Sequence, residues 1–209
     1  GIKAAIAGSK AFKGNIFDFV QKAPLKADEN GRSNILIVGT SEDSEGGTHP
    51  GGNLTDSILV LSIDQNKKNA YMISMPRDMW VKLDNPCDVG YESKINAVYM
   101  CGSEDGQNEA AGVQALQNKV GEVFGLDLQY YVHVNNTVVK DAVDAVGGVS
   151  LTIESEDPRG IYDPNFDWQC NHQCHMVDYK NGQVAQMDGA HALAFARARN
   201  AAGGYGLPN

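Results

Sequence analysis

The sequence predicts a layered α/β domain on a mixed sheet. Three observations predict it. Short continuous apolar runs, the length of buried strands, alternate with longer segments at helical spacing. Two of those runs, within 57–75, are joined by a polar turn and read as an antiparallel hairpin. Glycines close the helical segments where a left-handed stop is needed.

The elements follow in order. Ile2 to Phe12 is Ala-rich and reads as a helix, and Asn15 to Val20 as a short strand or turn. Lys26 to Ser33 is charged and glycine-bearing, so residues 1–33 form a peripheral segment and linker. Ile35-Leu-Ile-Val38, ending at Gly39, is a buried strand that opens the main domain, 34–209. Residues 40–53 carry glycines, Pro50 and acidic residues and make a long loop of the kind that carries function. Ser57 to Ile63 and Ala70 to Met75 are the hairpin strands around Asp64–Asn69. Gln107 to Phe124 spaces Ala111, Ala115, Val120 and Phe124 as a helix and stops at Gly125. Leu128 to Val134 is a strand, Thr137 to Val146 a helix closed by Gly147-Gly148, and Val149 to Ile153 a strand. Residues 154–176 read as irregular, and Asp188 to Ala196 as an alanine-rich helix. Asp144 falls on the exposed surface of its helix.

Bulk properties exclude several classes. A chain of 209 residues is long enough to bury a core. A formal net charge of -9 argues against nucleic acid, because phosphate backbones are bound by excess cations. No apolar run reaches the ~18 residues needed to span a bilayer. The sequence opens on Gly1 rather than Met, from which we expect that an N-terminal anchor or signal has been lost. There is no Gly-x-Ser-x-Gly, P-loop or dinucleotide fingerprint. The five histidines (49, 133, 172, 175 and 191) form no nucleophile–base pattern.

Arginine is scarce and unevenly placed. Of five arginines, Arg77 lies in Pro76-Arg77-Asp78 at the end of an apolar run, and Arg197 and Arg199 lie two apart near the C-terminus. A guanidinium matches phosphate oxygens two at a time, so this placement suggests a phosphate ester. The plainer reading is that each arginine pairs with a surface carboxylate.

The four cysteines, Cys87, Cys101, Cys170 and Cys174, fall into two local pairs. An even, clustered count suggests two disulfides, Cys87–Cys101 and Cys170–Cys174, and an oxidising compartment. The competing reading is a metal site from Cys170, His172, Cys174 and His175, although these ligands crowd within six residues.

Several segments line up in sequence: Asn34-Ile-Leu-Ile-Val-Gly39, Leu54-Thr-Asp-Ser57, Ser74-Met-Pro-Arg-Asp78, Lys94-Ile-Asn-Ala-Val-Tyr99, Val143 to Val149, and Asp188 to Arg199. Together they resemble the LytR-CpsA-Psr family of bacterial cell-envelope proteins over roughly residues 34–199. The resemblance implies a three-layer α/β/α domain with a central mixed sheet, on the extracytoplasmic face of the cell membrane and tethered by an N-terminal helix. It implies a phosphotransferase that moves a glycopolymer from a polyprenyl-pyrophosphate carrier onto peptidoglycan with Mg2+. It names a substrate class rather than one polymer.

The residue chemistry agrees with that role. Charge develops on a departing phosphate, so cations must surround it. Arg77, Arg197 and Arg199 are the expected pyrophosphate ligands, meeting at one pocket. Lys94 and Asn96 either bond phosphate or hold the loop that frames the site. Asp56, at a strand start, is the expected Mg2+ carboxylate and catalytic partner of Arg77, with a turn-capping role as its plainer reading. Asp78 is expected to orient Arg77.

Three departures from the family pattern stand out. Leu54 occupies a place that often holds arginine. Thr40-Ser41 follow Gly39 where an aspartate is common, with Glu42 and Asp43 the nearest acids. The chain stops at Asn209, where the family continues into a helix with further ligands, so the domain looks truncated. A non-catalytic module that binds prenyl phosphate or wall glycan, or a lipid pyrophosphatase, is the alternative.

Overall fold

The computed structural model describes residues 24–41, 51–167, 170–199 and 202–207. The expected N-terminal helix and strand, and most of the 40–53 loop with Glu42, Asp43 and His49, lie outside them. Two compact units are resolved by their contacts, one ending at Asn136 and the other beginning at Thr137.

The first unit is built on a four-stranded mixed sheet. Its strands are β1 (Arg32–Thr40), β2 (Thr55–Asp64), β3 (Asn69–Ser74) and β6 (Tyr130–Val134), in the order β3-β2-β1-β6. β1–β2 and β2–β3 are antiparallel, whereas β1–β6 is parallel. The hairpin and the mixed sheet are therefore present as the sequence predicts. Strand periodicity sends Leu36, Val38, Ile58 and Val60 to one face, where they are fully buried against Val113, Leu116 and Val120. Those three come from α2 (Glu109–Phe124), which starts on an Asn108 side chain accepting from Ala111 N–H and ends at Gly125 with φ 65°. On the opposite face Ile35, Ile37, Leu59 and Leu61 stay half-buried.

Three elements of this unit were not anticipated. β4 (Trp80–Cys87) and β5 (Gly90–Lys94) form a second hairpin, and α1 (Ala97–Gly102) follows it. Pro86 and the charges of both strands hide them, because neither strand alternates cleanly. The Cys87–Cys101 disulfide ties the end of β4 to α1. Two buried side chains here find partners. His133 bonds Thr40 Oγ1 at 2.8 Å and Glu109 at 3.2 Å, a structural histidine. The Lys119 ammonium resists desolvation because Glu122 and Asp84 hold it, at 2.6 and 3.2 Å.

The second unit has its own core of Ile153, Ile161, Val177, Tyr179, Ala185, Met187 and Ala194. α3 (Asn136–Ala145) runs into it. β7 (Val149–Thr152) pairs antiparallel with β10 (Val184–Met187), and the short β8 (Ile161–Tyr162) pairs with β9 (Asp178–Tyr179). α4 (Gly189–Arg197) follows, with Asp188 accepting from His191 N–H. Segment 154–176, read as irregular, contains β8 and a 3-10 turn, Pro164–Phe166. Its Cys170–Cys174 pair is a disulfide.

Candidate functional site

Backbone hydrogen bonds bring Asp56, Arg77, Asp78 and Lys94 together in the first unit. The β2–β3 ladder continues past Ser74, where Met75 N–H donates to Ile58 carbonyl at 2.9 Å. Two further residues along each strand place Arg77 beside Asp56. Asn96 then ties three segments: its N–H donates to Arg77 carbonyl at 3.2 Å, and its own carbonyl accepts from Thr55 N–H at 3.0 Å. Ile95 N–H also donates to Met79 carbonyl at 2.7 Å. Asn96 is buried and acts here through its main chain, making no side-chain cap.

A register slip aims Asp56. Gly39 pairs with Ser57 but Thr40 pairs with Thr55, so Asp56 is the extra residue of a β-bulge. Bulges of this kind re-aim a side chain at a sheet edge or rim. Gly39 matters to the closeness of the strands, since a Cβ there would lie 3.2 Å from Ser57 Cβ. No sequence signal marks the bulge.

The side chains form an alternating row of charge. Arg77 Nη1 donates to Asp56 Oδ1. Arg77 Nε lies 3.8 Å from Asp78 Oδ2, and Lys94 Nζ donates to Asp78 Oδ1 at 2.6 Å. Lys94, by hydrogen bond and by charge, holds the Asp78 carboxyl below the usual carboxylate range. Asp78 thus bridges Arg77 and Lys94, as expected of a group that orients Arg77. All four side chains are about half-exposed (45–58%), so an incoming anion can reach them. Trp80, exposed and missed by the sequence reading, is the cross-strand partner of Lys94, and its indole N–H donates to Glu92 at 3.3 Å.

The remaining arginines divide clearly. Arg32 is structural: it donates to Ser62 and Asn69 and stacks over Tyr71 at 4.9 Å. Arg159 is too, holding Asp157 through two nitrogens and lying over Tyr205 at 4.3 Å. Arg197 is the last residue of α4 and Arg199 lies one residue past its Ala198 cap, whose backbone is extended. Both are exposed, and neither guanidinium forms a hydrogen bond or ion pair among the described residues. Arg199 is fixed by its main chain, because its N–H donates to Asp163 Oδ2 at 2.9 Å while Asp163 Oδ1 caps Asn165. Arg77 belongs to the first unit and Arg197 and Arg199 to the second.

The second unit also holds an open cavity of about 500 Å³ lined by Asp144, Tyr179, Met187, Asp188, His175 and His191, among others. None of the predicted phosphate ligands lines it. Asp144 is exposed on its helix as expected, and in addition its Oδ1 accepts from Gly189 N–H at 2.7 Å and so helps start α4. Asp188 accepts from the His191 ring at 2.8 Å.

The LytR_cpsA_psr family profile matches residues 3–206. A polyisoprenyl-teichoic acid–peptidoglycan teichoic acid transferase, TagU, from Oceanobacillus iheyensis is 32% identical over 167 residues, which are 79% of this chain and 43% of that protein. Biofilm regulatory protein A of Streptococcus mutans is 28% identical over 76% of this chain and 37% of its own length. The chain thus spans less than half of these two relatives. Among solved structures, a LytR-CPS2A-psr family protein, YwtF (TagT), with bound octaprenyl pyrophosphate lipid aligns with a TM-score of 0.52 at 23% identity, over 83% of this chain and 60% of that one. B. subtilis TagV aligns with a TM-score of 0.53 at 25% identity, over 82% and 57%. Both alignments agree with the α/β fold read from the sequence.

Proposed function

The chain belongs to the LytR-CpsA-Psr family, and from that premise we propose that it transfers a glycopolymer from a polyprenyl-pyrophosphate carrier to a peptidoglycan hydroxyl. The observation that carries the reading is the row Asp56–Arg77–Asp78–Lys94 at a bulged strand end. In its free state each cation there is matched by a carboxylate. A phosphate that takes the Arg77 fork displaces Asp56, and that exchange frees a carboxylate next to the newly bound phosphate. Arg197 and Arg199 are further phosphate ligands in this reading, since their guanidinium groups have no protein partner among the described residues. Lys94 neutralises developing charge, and Asn96 holds the frame.

The donor set fits Mg2+. Among the described residues no three metal-ligating side chains meet at this cluster. Mg2+ is commonly held by one or two carboxylates, with water and substrate phosphates filling the other positions. Asp56, paired with Arg77 in the free state and released by the phosphate, is the residue that would hold it. The ion would supply positive charge to the phosphate oxygens. Asp56 would then help take the acceptor hydroxyl proton. The half-buried face of Ile35, Ile37, Leu59 and Leu61 offers apolar surface suited to a prenyl chain. Among the described residues no helix is long and apolar enough to cross a membrane. We place the activity on the extracytoplasmic face, with membrane attachment through a segment preceding this chain.

The test is incubation with a prenyl-pyrophosphate-linked sugar, Mg2+ and peptidoglycan fragments, reading the phosphodiester product by mass spectrometry. The run uses this chain and one extended past Asn209. Product from either supports the transferase. Lipid bound by both with no product, or free phosphate released without acceptor, overturns it in favour of the binding module or the pyrophosphatase.

A further inference from the structure

The loop that closes the Cys170–Cys174 disulfide is wrapped around one carboxylate. Asp167 is fully buried. Its carbonyl accepts from Cys170 N–H at 3.2 Å and His172 N–H at 2.8 Å, and its Oδ1 accepts from Met176 N–H at 2.9 Å. Its Oδ2 has no hydrogen-bond partner among the described residues. An unpaired buried carboxylate oxygen is costly, and natural structures keep few of them without a reason.

The surroundings supply one. An Asp167 oxygen, Cys170 Sγ and Cys174 Sγ all lie within 4.8 Å of one another. Cys174 Sγ is 3.7 Å from Asp167 Oδ1, and Cys170 Sγ is 3.0 Å from the Asp167 carbonyl. While the sulfurs are bonded to each other neither carries a proton, so neither can satisfy the carboxylate. Cys174 N–H points at Cys170 Sγ from 3.0 Å. A donor in that place favours a thiolate over a thiol.

We propose that reduction converts this loop into a zinc site, with Asp167, Cys170 and Cys174 as ligands and a fourth position open to water. Two equivalents of a small thiol cleave the S–S bond and leave as their own disulfide, giving two protein thiols. Binding Zn2+ then releases two protons to solvent, and the ion faces two thiolates and one carboxylate. Two sulfurs and an oxygen select a borderline-soft ion over Mg2+ or Ca2+. Cys174 is exposed, which gives reductant and metal a way in, while Asp167 waits buried beneath it. The sequence alternative that pooled both histidines is narrowed to the two sulfurs and an aspartate it did not include.

The test uses the full chain, anaerobically, oxidised and after treatment with excess dithiothreitol and desalting. Zinc is titrated against a chromophoric chelator and counted by elemental analysis. One zinc per reduced chain is expected, with none held by the oxidised chain. Cys174→Ser should abolish binding, and Asp167→Asn should weaken it at least about tenfold. Asp167→Asn is scored only if circular dichroism matches the parent, and Cys174→Ser decides the question alone if it does not. Zinc retained by the oxidised chain, no zinc after reduction, or unchanged affinity in Cys174→Ser each overturns the proposal.

Discussion

Replacing Asp56 with Asn should split metal-free binding from transfer. The Asp56–Arg77 pair is half-exposed on both sides, 45% and 46%. Pairs of that exposure are worth roughly 0.2–1 kcal/mol. Asn keeps the shape and removes the charge, so the stability lost is at most about 1 kcal/mol. For a chain of this size that is a fall in Tm of roughly 2–4 °C. The same pair is what a phosphate must break to reach Arg77. Removing it should therefore strengthen metal-free phosphate binding by about 1.4- to 5-fold, the same energy read as affinity. Transfer should disappear, because Asn lacks the charge a hard dication needs. The assay is calorimetric titration with a soluble prenyl diphosphate in EDTA and in Mg2+, beside the transfer reaction and a melting curve. Weaker binding in EDTA would refute the competition argument. A Tm drop well beyond 4 °C with transfer intact would make Asp56 a turn residue.

Arg77→Ala should weaken the same ligand by about 1.5–3 kcal/mol, the scale of a charged hydrogen bond, or roughly 10- to 150-fold, and Arg77→Lys should restore only part of it; unchanged titration curves would remove Arg77 from the site. Asp163→Ala strips the acceptor from the Asn165 and Arg199 N–H groups, one of them the anchor of the Arg199 main chain. It should cost about 1–3 kcal/mol in urea unfolding, and an unchanged midpoint would refute that role. Asp157, held by the Arg159 side chain and N–H, titrates at about 2 rather than 3.8. A depressed carboxyl stabilises the fold above its unfolded pKa and loses that contribution as pH falls towards its folded one, so the effect is confined to the acid range below about 4. Carboxyl-carbon NMR should show a midpoint near 2 that returns towards 3.8 in Arg159→Ala.

Strands with short aliphatic runs were legible because the runs are strand-length, bounded by turn residues and too short for a helix. Hence β1, β2 and β3 stand where the runs stand. α2 was legible from its spacing and its Gly125 stop, whereas its start was placed at Gln107 and the Asn108 cap emerges only in the structure. The β4–β5 hairpin was not, because one of its faces is exposed and charged and Pro86 interrupts the other signal. The candidate site was legible as residue types and not as a structure. Asp56 and Arg77 are adjacent only because the β2–β3 ladder runs on for two residues and a bulge turns Asp56 outwards. Bulges and ladder extensions are settled by pairing partners that lie elsewhere in the chain, so no local pattern announces them. Asp167 was invisible for the same reason, since an orphaned oxygen is a property of what surrounds it.

The proposed pyrophosphate ligand sets an acidic chain a physical problem, because its overall field repels such an anion. The arginines show one way round it. Arg32 and Arg159 are each consumed by a neighbouring hydrogen-bond set and a tyrosine face, and they are unavailable to a ligand. Arg77 is paired with Asp56 and lies near Asp78, the carboxylates that the proposed phosphate would replace. Among the described residues Arg197 and Arg199 carry no such cover, yet their positions are fixed by the end of α4 and by Asp163. If bulk charge governed binding, neutralising acidic residues far from these groups would raise affinity as much as Asp56→Asn does. On the local argument it should not. Glu104→Gln and Asp88→Asn, both exposed and outside the Asp56 row, should leave metal-free affinity within about 1.5-fold at 0.15 M salt, where fields fade over ~8 Å. A gain from these changes matching that of Asp56→Asn would return the explanation to net charge.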